Sequence, residues 1–174
     1  LGVGLRSRPY PVVAASGGDG LVHAGMIMRV GGSARDMARQ SLNLGWTFPR
    51  LALPDRIRAA ACVGFRYVEC HFPYEHDAAE LAGVLRETGL AMVAMNVPRG
   101  GEGRLGLASV AGADAAFRED LVRALDWSRI LEAPFVHVLA GDLGPEPRAA
   151  AEARLAENLA WAATEAGTET TLLV

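Results

Sequence analysis

Residues 67–97 read YVECHFPYEHDAAELAGVLRETGLAMVAMNV. This stretch opens with an apolar run that carries polar residues at its end, and it closes with a nearly continuous apolar run from Leu90 to Val97. The segment between them begins at Asp77-Ala78-Ala79-Glu80, a carboxylate form of the helix capping box, and ends at Gly89. A strand, a helix and a second strand in this order predict a right-handed βαβ unit with parallel strands.

With this stretch included, five apolar runs alternate with four helical segments from residue 42 to the end of the chain. Each helical segment has apolar residues three and four positions apart and ends at a glycine or a proline. Nearly continuous apolar runs are typical of parallel strands that are covered on both faces. The pattern predicts helices packed on a parallel sheet, and it fits both an open doubly wound sheet and a closed barrel. The apolar runs are 42–46, 67–71, 90–97, 135–139 and 171–174.

Residues 1–36 differ from the rest of the chain. They contain eight glycines and two prolines and show no sustained helical or strand period. Met37 stands directly before the first well-patterned segment. We therefore predict a flexible N-terminal extension over 1–36, to which we assign no function, and a single domain over 37–174.

The charge of the chain argues against a nucleic-acid or membrane partner. Seventeen basic side chains are balanced by twenty acidic ones, the net charge is −3, and the charges are interleaved along the helices. No apolar stretch approaches the roughly 18 residues that a transmembrane helix needs. Every basic residue is Arg, so a Schiff base to Lys cannot form within the chain. We expect a small-molecule substrate.

The two cysteines, Cys62 and Cys70, do not suggest a disulfide framework in a chain of this size. They fit a reducing compartment, and we expect a cytoplasmic protein. We predict that both are buried, inert thiols.

Polar side chains stand at or near the ends of four successive apolar runs. The carboxyl ends of parallel strands meet at one edge, which is where ligands bind in both candidate architectures. An acid inside an apolar strand is costly unless it is paired or faces a wet cavity, so Glu69 is either a site residue or a partner of Arg66 or Arg99. His137 is either a hydrogen-bonded core residue or part of an active-site floor. The four side chains are those of Asn43, Glu69, Asn96 and His137.

Gly101-Glu102-Gly103-Arg104-Leu105-Gly106 matches the dinucleotide-binding fingerprint letter for letter. In a nucleotide-binding unit these glycines turn a strand directly into a helix. Here Pro98-Arg99-Gly100 intervene, and the next helix is predicted to start only after about Gly112. The context therefore favours a mobile loop over a pocket.

Six candidate metal ligands lie within nine positions, in Glu69-Cys70-His71 and Glu75-His76-Asp77. Their spacing matches no common zinc motif, and neighbouring strand residues point to opposite faces. We therefore expect that they do not all converge and that the chain alone binds no metal.

A series of motifs occurs in the order in which one enzyme family carries them. The series spans about residues 40–174, and the extension has no counterpart in it. The motifs are Leu42-Asn43-Leu44-Gly45-Trp46, Ala60-Ala61 to Gly64-Phe65 with Val68-Glu69, Phe72-Pro73-Tyr74-Glu75-His76, Asn96, Gly101-Glu102 to Leu105-Gly106-Leu107-Ala108, His137-Val138-Leu139-Ala140-Gly141, and Glu157-Asn158-Leu159 with Trp161-Ala162-Ala163. This series resembles the opening of the hydroxypyruvate isomerase family, within the xylose isomerase-like barrels.

This resemblance implies an α/β fold, a partial parallel TIM barrel of about four βα units plus a fifth strand. It implies an isomerase that interconverts hydroxypyruvate and tartronate semialdehyde, or a related 2-oxo acid or ketose. The carbonyl group moves by one carbon through an enediolate, so the complete enzyme is expected to use a divalent metal (Mg or Mn) and a carboxylate that shuttles the proton.

The family's catalytic carboxylates and metal ligands lie at the ends of the fifth and later strands. The resemblance therefore implies that the catalytic residues are expected beyond Val174, and none is assigned within the chain. It implies substrate-binding roles for the first half of the pocket. His71 stands where the family usually has an apolar residue, and the loop after the third run is shorter than the family's. The residues given substrate-binding roles are Asn43, Glu69, Asn96, Glu102 and His137.

Two other functions remain open from the sequence. A metal-dependent endonuclease of the endonuclease IV type shares the barrel, but it needs a histidine-rich metal cluster and a basic surface. A non-catalytic binding or assembly fragment is the second alternative. A barrel of this kind needs about 250 residues, so we expect 174 residues alone to be inactive and either a homodimer or poorly folded.

Overall fold

The computed structural model describes residues 40–142 and 144–174. The predicted extension over 1–36 and the predicted domain start at Met37 lie outside these residues. Five strands alternate with four helices, as the hydrophobic pattern predicts. The elements are β1 (Ser41–Asn43), α1 (Leu53–Cys62), β2 (Tyr67–Cys70), α2 (Ala78–Thr88), β3 (Ala91–Asn96), α3 (Asp114–Leu131), β4 (Phe135–His137), α4 (Arg148–Ala166) and β5 (Thr171–Leu173).

The ends of the helices follow from local sequence. The Asp77 carboxylate accepts a hydrogen bond from the backbone N–H of Glu80 at 2.8 Å, which confirms the predicted cap of α2. Gly89 ends the same helix with a φ of 70°, a left-handed conformation that glycine adopts at little cost. Pro54 lies in the first turn of α1. Backbone N–H groups in the first turn make no hydrogen bond within the helix, so the proline costs none there.

The order of the strands distinguishes the two architectures that the sequence left open. All neighbouring strands pair in parallel, in the order β1-β2-β3-β4-β5. Right-handed crossovers between strands in sequential order place all four helices on one face, and each helix contacts the next along the chain. A doubly wound sheet would reverse its strand order part-way. The fold is therefore a partial TIM barrel, and β1 and β5 are the edges of the described sheet.

The core lies between the sheet and its helices. Val68, Cys70 and Val136 are buried under this helical layer, where they join the apolar stripes of α1 to α3. Side chains alternate between the two faces of a strand, so the residues between these buried positions point the other way. We call this other side of the sheet, opposite the helices, the open face.

One irregularity changes which side chains of β3 reach the open face. Val68 pairs with Met92, but Glu69 pairs with Ala94, so Val93 is an extra residue on β3. In a regular ladder Glu69 would pair with Val93, and Asn96 would then point into the helical layer. The bulge shifts the register by one residue, so Ala94 and Asn96 point to the open face. Met95, which lies between them, is buried in the helical layer.

The prediction of two buried thiols is half wrong. Cys70 is buried in the core, whereas Cys62 is exposed, and both are free. The buried residues of α1 are Leu53, Ile57 and Ala60, and a position two residues after Ala60 falls on the opposite side of the helix. Within the described residues, no helix combines the length and the hydropathy that crossing a membrane requires.

Candidate functional site

Strand pairing brings four of the predicted site residues to one face. Asn43 pairs with Glu69 across β1 and β2, and Asn96 pairs with His137 across β3 and β4. The two pairs are linked through Ala94, which pairs with Glu69 and lies two residues before Asn96. Residues paired across strands, or two apart on one strand, share a face. Asn43, Glu69, Asn96 and His137 therefore all lie on the open face, at or near the C-terminal ends of their strands.

A hydrogen-bonded group joins the ends of β1 and β2. The Asn43 amide nitrogen lies 2.9 Å from Glu69 Oε1 and 2.8 Å from His71 Nε2. The Ser41 hydroxyl donates to the other carboxylate oxygen of Glu69 at 3.1 Å. We call Asn43, Glu69 and His71 the rim cluster. These bonds hold the carboxylate and the imidazole in defined positions without the use of a charged partner.

His71 is the member of this cluster that has no predicted substrate-binding role. The sequence offered it only as one of six candidate metal ligands and as a departure from the family pattern. It lies two residues after Glu69, and strand alternation therefore brings it to the same face. This spacing was the signal that could have identified it. The imidazole also makes edge contacts with Trp46 and Phe72, at ring-centroid distances of 6.1 and 6.0 Å.

The alternative interpretation of Glu69, as the partner of Arg66 or Arg99, is wrong for the described residues. Its carboxylate is bound by Ser41 and Asn43 instead. The Arg99 guanidinium lies over the ring of Phe72, with its central carbon 4.2 Å from the ring centroid. A neutral donor set costs less to place beside a half-buried strand than a second charge would.

Backbone contacts fix the end of β3. The N–H of Asn96 donates to the carbonyl of His71 at 3.0 Å, and the Tyr74 hydroxyl donates to the carbonyl of Asn96. Tyr74 packs edge-on against Trp127 of α3 at a centroid distance of 5.2 Å. Burial raises the pKa of the Tyr74 hydroxyl far above its ordinary value, so it stays protonated as the donor. Tyr74, in the loop after β2, thus stabilises the position of Asn96 at the end of β3.

The predicted site residue Glu102 is separate from the other four. It is exposed in the loop between β3 and α3 and hydrogen-bonds to none of them among the described residues. The loop is less free than we predicted, because its second half is packed. Gly106 and Ala140 form an antiparallel bridge, and Leu107, Ala108 and Ser109 are buried. Of the three glycines in the false nucleotide fingerprint, Gly106 serves packing, because an added Cβ there would lie 2.1 Å from the Leu139 carbonyl oxygen, whereas Gly103 has nothing within 4 Å.

Polar residues of α4 hold this packed half of the loop. Asn158, only 2% exposed, donates to the Ala108 carbonyl at 2.9 Å and to the Asp114 carboxylate at 3.0 Å. Arg154 donates to the Ser109 carbonyl and pairs with both carboxylate oxygens of Glu146, at 2.7 and 2.9 Å. The hydrogen bonds from Arg154 lower the pKa of Glu146. The loop is thus attached to the helix that precedes β5.

The described residues do not fit a metal site by themselves. No three His, Cys, Asp or Glu side chains of residues 40–142 and 144–174 lie close enough together to hold an ion. Cys70 points into the helical layer, and burial raises the pKa of its thiol to about 11, so it is not a thiolate at neutral pH. The carboxylate of Glu69 is already bound by two neutral donors.

Comparison with known proteins identifies the family. Residues 57–174 match the family model described as xylose isomerase-like TIM barrel. The chain belongs to this family. The five parallel strands in sequential order agree with that fold, and the predicted partial TIM barrel is confirmed.

Two curated relatives have the names of isomerases. A Homo sapiens protein named "Putative hydroxypyruvate isomerase" is 44% identical over 106 residues, which are 59% of this chain and 38% of that protein. The 2-oxo-tetronate isomerase of Cupriavidus necator is 40% identical over 136 residues, which are 76% of this chain and 52% of that enzyme. The chain thus spans about half the length, or less, of the curated relatives it matches.

Solved structures show the same barrel. The structure titled AP endonuclease, family 2, from Brucella melitensis has a TM-score of 0.74 at 33% identity and covers 77% of this chain and 53% of its own. An L-ribulose 3-epimerase has a TM-score of 0.57 at 23% identity, over 79% of this chain and 49% of its own. The second likeness concerns the fold alone.

Proposed function

We propose that the protein carrying this chain is an isomerase of a small 2-oxo acid, which interconverts hydroxypyruvate and tartronate semialdehyde or acts on a close relative of them. The observation that carries the proposal is the line of polar side chains Asn43, Glu69, Asn96 and His137 on one face at the strand ends. In TIM-barrel enzymes the active site lies at this end of the strands. The isomerase names of the curated relatives support the same reaction class.

The reaction moves a carbonyl group to the neighbouring carbon. One carbon loses a proton, an enediolate forms, and a proton is added to the other carbon, while the hydroxyl proton moves from the first oxygen to the second. Such a site must hold both oxygens of the enediolate and keep the two reacting carbons in place. The side chains of Asn96 and His137 carry donors that can hold these oxygens, and Glu69 has lone pairs left to accept from a substrate hydroxyl.

The resemblance to the family implies that the complete enzyme uses a carboxylate to shuttle the proton and a divalent metal. We propose that a divalent metal, Mg or Mn, and the catalytic carboxylates are contributed from outside the described residues, which do not form a metal site. When bound, such an ion would stabilise negative charge on the substrate oxygens. The part played by this chain is then to bind and orient the substrate.

The test compares the complete gene product, with whatever sequence follows Val174, and the 174-residue chain. We expect the gene product to isomerise hydroxypyruvate in the presence of Mg or Mn and to lose this activity with a chelator. The product formed in deuterated water should carry deuterium at the carbon that gains the proton. A gene product with added metal that isomerises neither hydroxypyruvate nor 2-oxo-tetronate would overturn the proposal.

The edges β1 and β5 lead to a second expectation. Unpaired strand edges promote association, so the 174-residue chain alone should be inactive and should be a homodimer or aggregate. Size-exclusion chromatography with light scattering measures this directly. A monomeric 174-residue chain that turns over hydroxypyruvate would contradict it.

One observation favours a different enzyme class. The solved structure with a TM-score of 0.74 is titled AP endonuclease, family 2. A DNA-binding role would need a basic surface, whereas this chain has no Lys and a net charge of −3. Titration of the gene product with a duplex containing an abasic site, at two salt concentrations, separates the two functions. We expect no salt-dependent binding, and cleavage of the duplex would replace the isomerase by a nuclease.

A further inference from the structure

Glu69 is the acidic member of the line of polar side chains on the open face. Its Oε1 accepts a hydrogen bond from Asn43 at 2.9 Å, and its Oε2 accepts one from Ser41 at 3.1 Å. Both donors are neutral. Within residues 40–142 and 144–174, no arginine or histidine nitrogen lies within 4.0 Å of this carboxylate. The two hydrogen bonds therefore fix the carboxylate in place, and no cation in contact with it compensates its negative charge.

The carboxylate of Glu69 also keeps the capacity to accept from a further donor. A carboxylate has about four lone-pair sites, and Asn43 and Ser41 use two of them. Ala94, which is paired with Glu69 on β3, has only a methyl group and cannot donate to the others. Glu69 is half-buried, so part of its surface is accessible to a ligand. A hydroxyl group that donates to it forms a charge-assisted hydrogen bond, which is roughly twice as strong as a neutral one.

The other end of the line consists of neutral polar groups. Asn96 and His137 are paired across β3 and β4, on the same face as Glu69. An amide and an imidazole both offer N–H donors, which a carboxylate can accept from. Adjacent strands are about 4.8 Å apart, which is close to the length of a three-carbon acid. Such a molecule can therefore lie across β3 with one end towards Glu69 and the other towards His137.

We infer that Glu69 orients the substrate and selects against acids with a carboxylate at both ends. This inference rests on the proposed function, whose substrates carry one carboxylate. Two carboxylates in contact repel each other, most strongly where water is partly excluded. The carboxylate of hydroxypyruvate therefore lies towards Asn96 and His137, and its hydroxyl group donates to Glu69. A dicarboxylate in the same place would put its second carboxylate against Glu69, which is a repulsive element of specificity.

The first test measures the binding of three 2-hydroxy acids to the complete gene product by calorimetry, at one fixed metal concentration. None of them has the carbonyl group, so none is isomerised. They differ only at the third carbon, which is a hydroxymethyl group in glycerate, a methyl group in lactate and a second carboxylate in tartronate. We expect glycerate to bind about 10-fold more tightly than lactate, which cannot donate to Glu69. Glycerate should also bind about 10- to 100-fold more tightly than tartronate.

The second test repeats the titrations with Glu69→Gln. This substitution removes the charge and keeps the shape, because the new amide can accept from Asn43 and donate to Ser41. We expect tartronate to gain affinity and glycerate to lose some, so that the two acids bind within a few-fold of each other. A merely structural role of Glu69 would weaken all three acids alike and leave their ratios at the wild-type values.

Glu119→Gln is the matched control. It removes the same charge from an exposed position on α3, on the side of the sheet opposite the open face. The affinities for all three acids should therefore stay at the wild-type values. Unfolding curves show whether each variant folds, and the order of the three acids on the wild type decides the inference if Glu69→Gln does not.

The outcomes distinguish this inference from the proposed function. If the wild type isomerises hydroxypyruvate but binds tartronate as tightly as glycerate, or if Glu69→Gln leaves their ratio unchanged, the role of Glu69 is wrong and the isomerase stands. If the three acids bind in the expected order and Glu69→Gln removes the difference, but no isomerisation occurs, the role of Glu69 stands and the proposed reaction is wrong. If the wild type binds none of the acids, the inference is wrong whatever the activity.

Discussion

The amide nitrogen of Asn43 lies 2.9 Å from Oε1 of Glu69, a residue 26 positions later in the sequence. This hydrogen bond joins the ends of β1 and β2. The same nitrogen lies 2.8 Å from His71 Nε2. One neutral side chain thus orients a carboxylate and an imidazole on the open face. Its own amide oxygen accepts the N–H of Gly45 at 2.9 Å and keeps a second lone pair for a further donor.

The first prediction follows from this arrangement. Asn43→Leu keeps the approximate volume but removes the bonds to both Glu69 and His71, so we expect kcat/KM for hydroxypyruvate to fall about 10- to 100-fold through loss of positioning. Ser41→Ala removes only one bond to Glu69 and should change kcat/KM by no more than a few-fold. Steady-state kinetics of the gene product measures both, and wild-type kcat/KM in the Asn43 variant would show that the cluster does not position the substrate.

The second prediction concerns the close approach of the loop to the segment that follows β4. Gly106 has a φ of 110°, and an added Cβ would lie 2.1 Å from the Leu139 carbonyl oxygen, so Gly106→Ala should lower the free energy of unfolding by about 3 kcal/mol or more. Gly103 has a φ of 71° with open space around it, so Gly103→Ala should cost only about 1 kcal/mol. Urea unfolding of the gene product measures both values, and equal losses would contradict the packed position of the loop.

The third prediction separates the two thiols. Cys62 is exposed and Cys70 is buried in the core, so a thiol reagent should label one cysteine per chain rapidly and the second only on unfolding. Cys62→Ser should abolish the rapid phase. Rapid labelling of both thiols in the folded protein would mean that the helical layer over β2 is open.

The fourth prediction is a loss of stability at alkaline pH. Burial raises the pKa of Cys70 from 9.0 to about 11, so above pH 9 the unfolded chain releases its thiol proton while the folded chain keeps it. This difference favours unfolding as pH rises, and it should lower the free energy of unfolding by about 2 to 3 kcal/mol by pH 11. The raised pKa of buried Tyr74 acts in the same direction from about pH 10, where the unfolded tyrosine begins to lose its proton, so both groups contribute by pH 11.

Urea unfolding between pH 8 and pH 11 checks this sign. Cys70→Ala should be less stable at pH 8 because of the cavity, but its stability should fall less steeply with pH. Cys62→Ala should retain the wild-type slope, since Cys62 is exposed. A wild-type slope in the Cys70 variant would exclude this thiol as the source of the pH dependence.

Local patterns predicted the secondary structure well. The Asp77 cap and the Gly89 stop of α2 are confirmed. The apolar spacing of three and four residues predicted for the helices forms a buried stripe on α3, which includes Phe117, Leu121 and Leu125. On α4 the apolar spacing does not predict burial as well. Its leucines are half-buried, whereas the polar Asn158 between them is buried. That residue binds the loop after β3, a contact between positions 50 residues apart that no local pattern contains.

The amino-acid sequence by itself determined the alternation of strands and helices and put Asn43, Glu69, Asn96 and His137 near strand ends, because periodicity and capping depend on neighbours along the chain. The tertiary structure decided the rest. The sequential strand order excludes a doubly wound sheet, the extra residue Val93 turns Asn96 to the open face, and His71 joins Asn43 across two strands. These features depend on pairing between strands that are distant in sequence, and local periodicity carries no information about register.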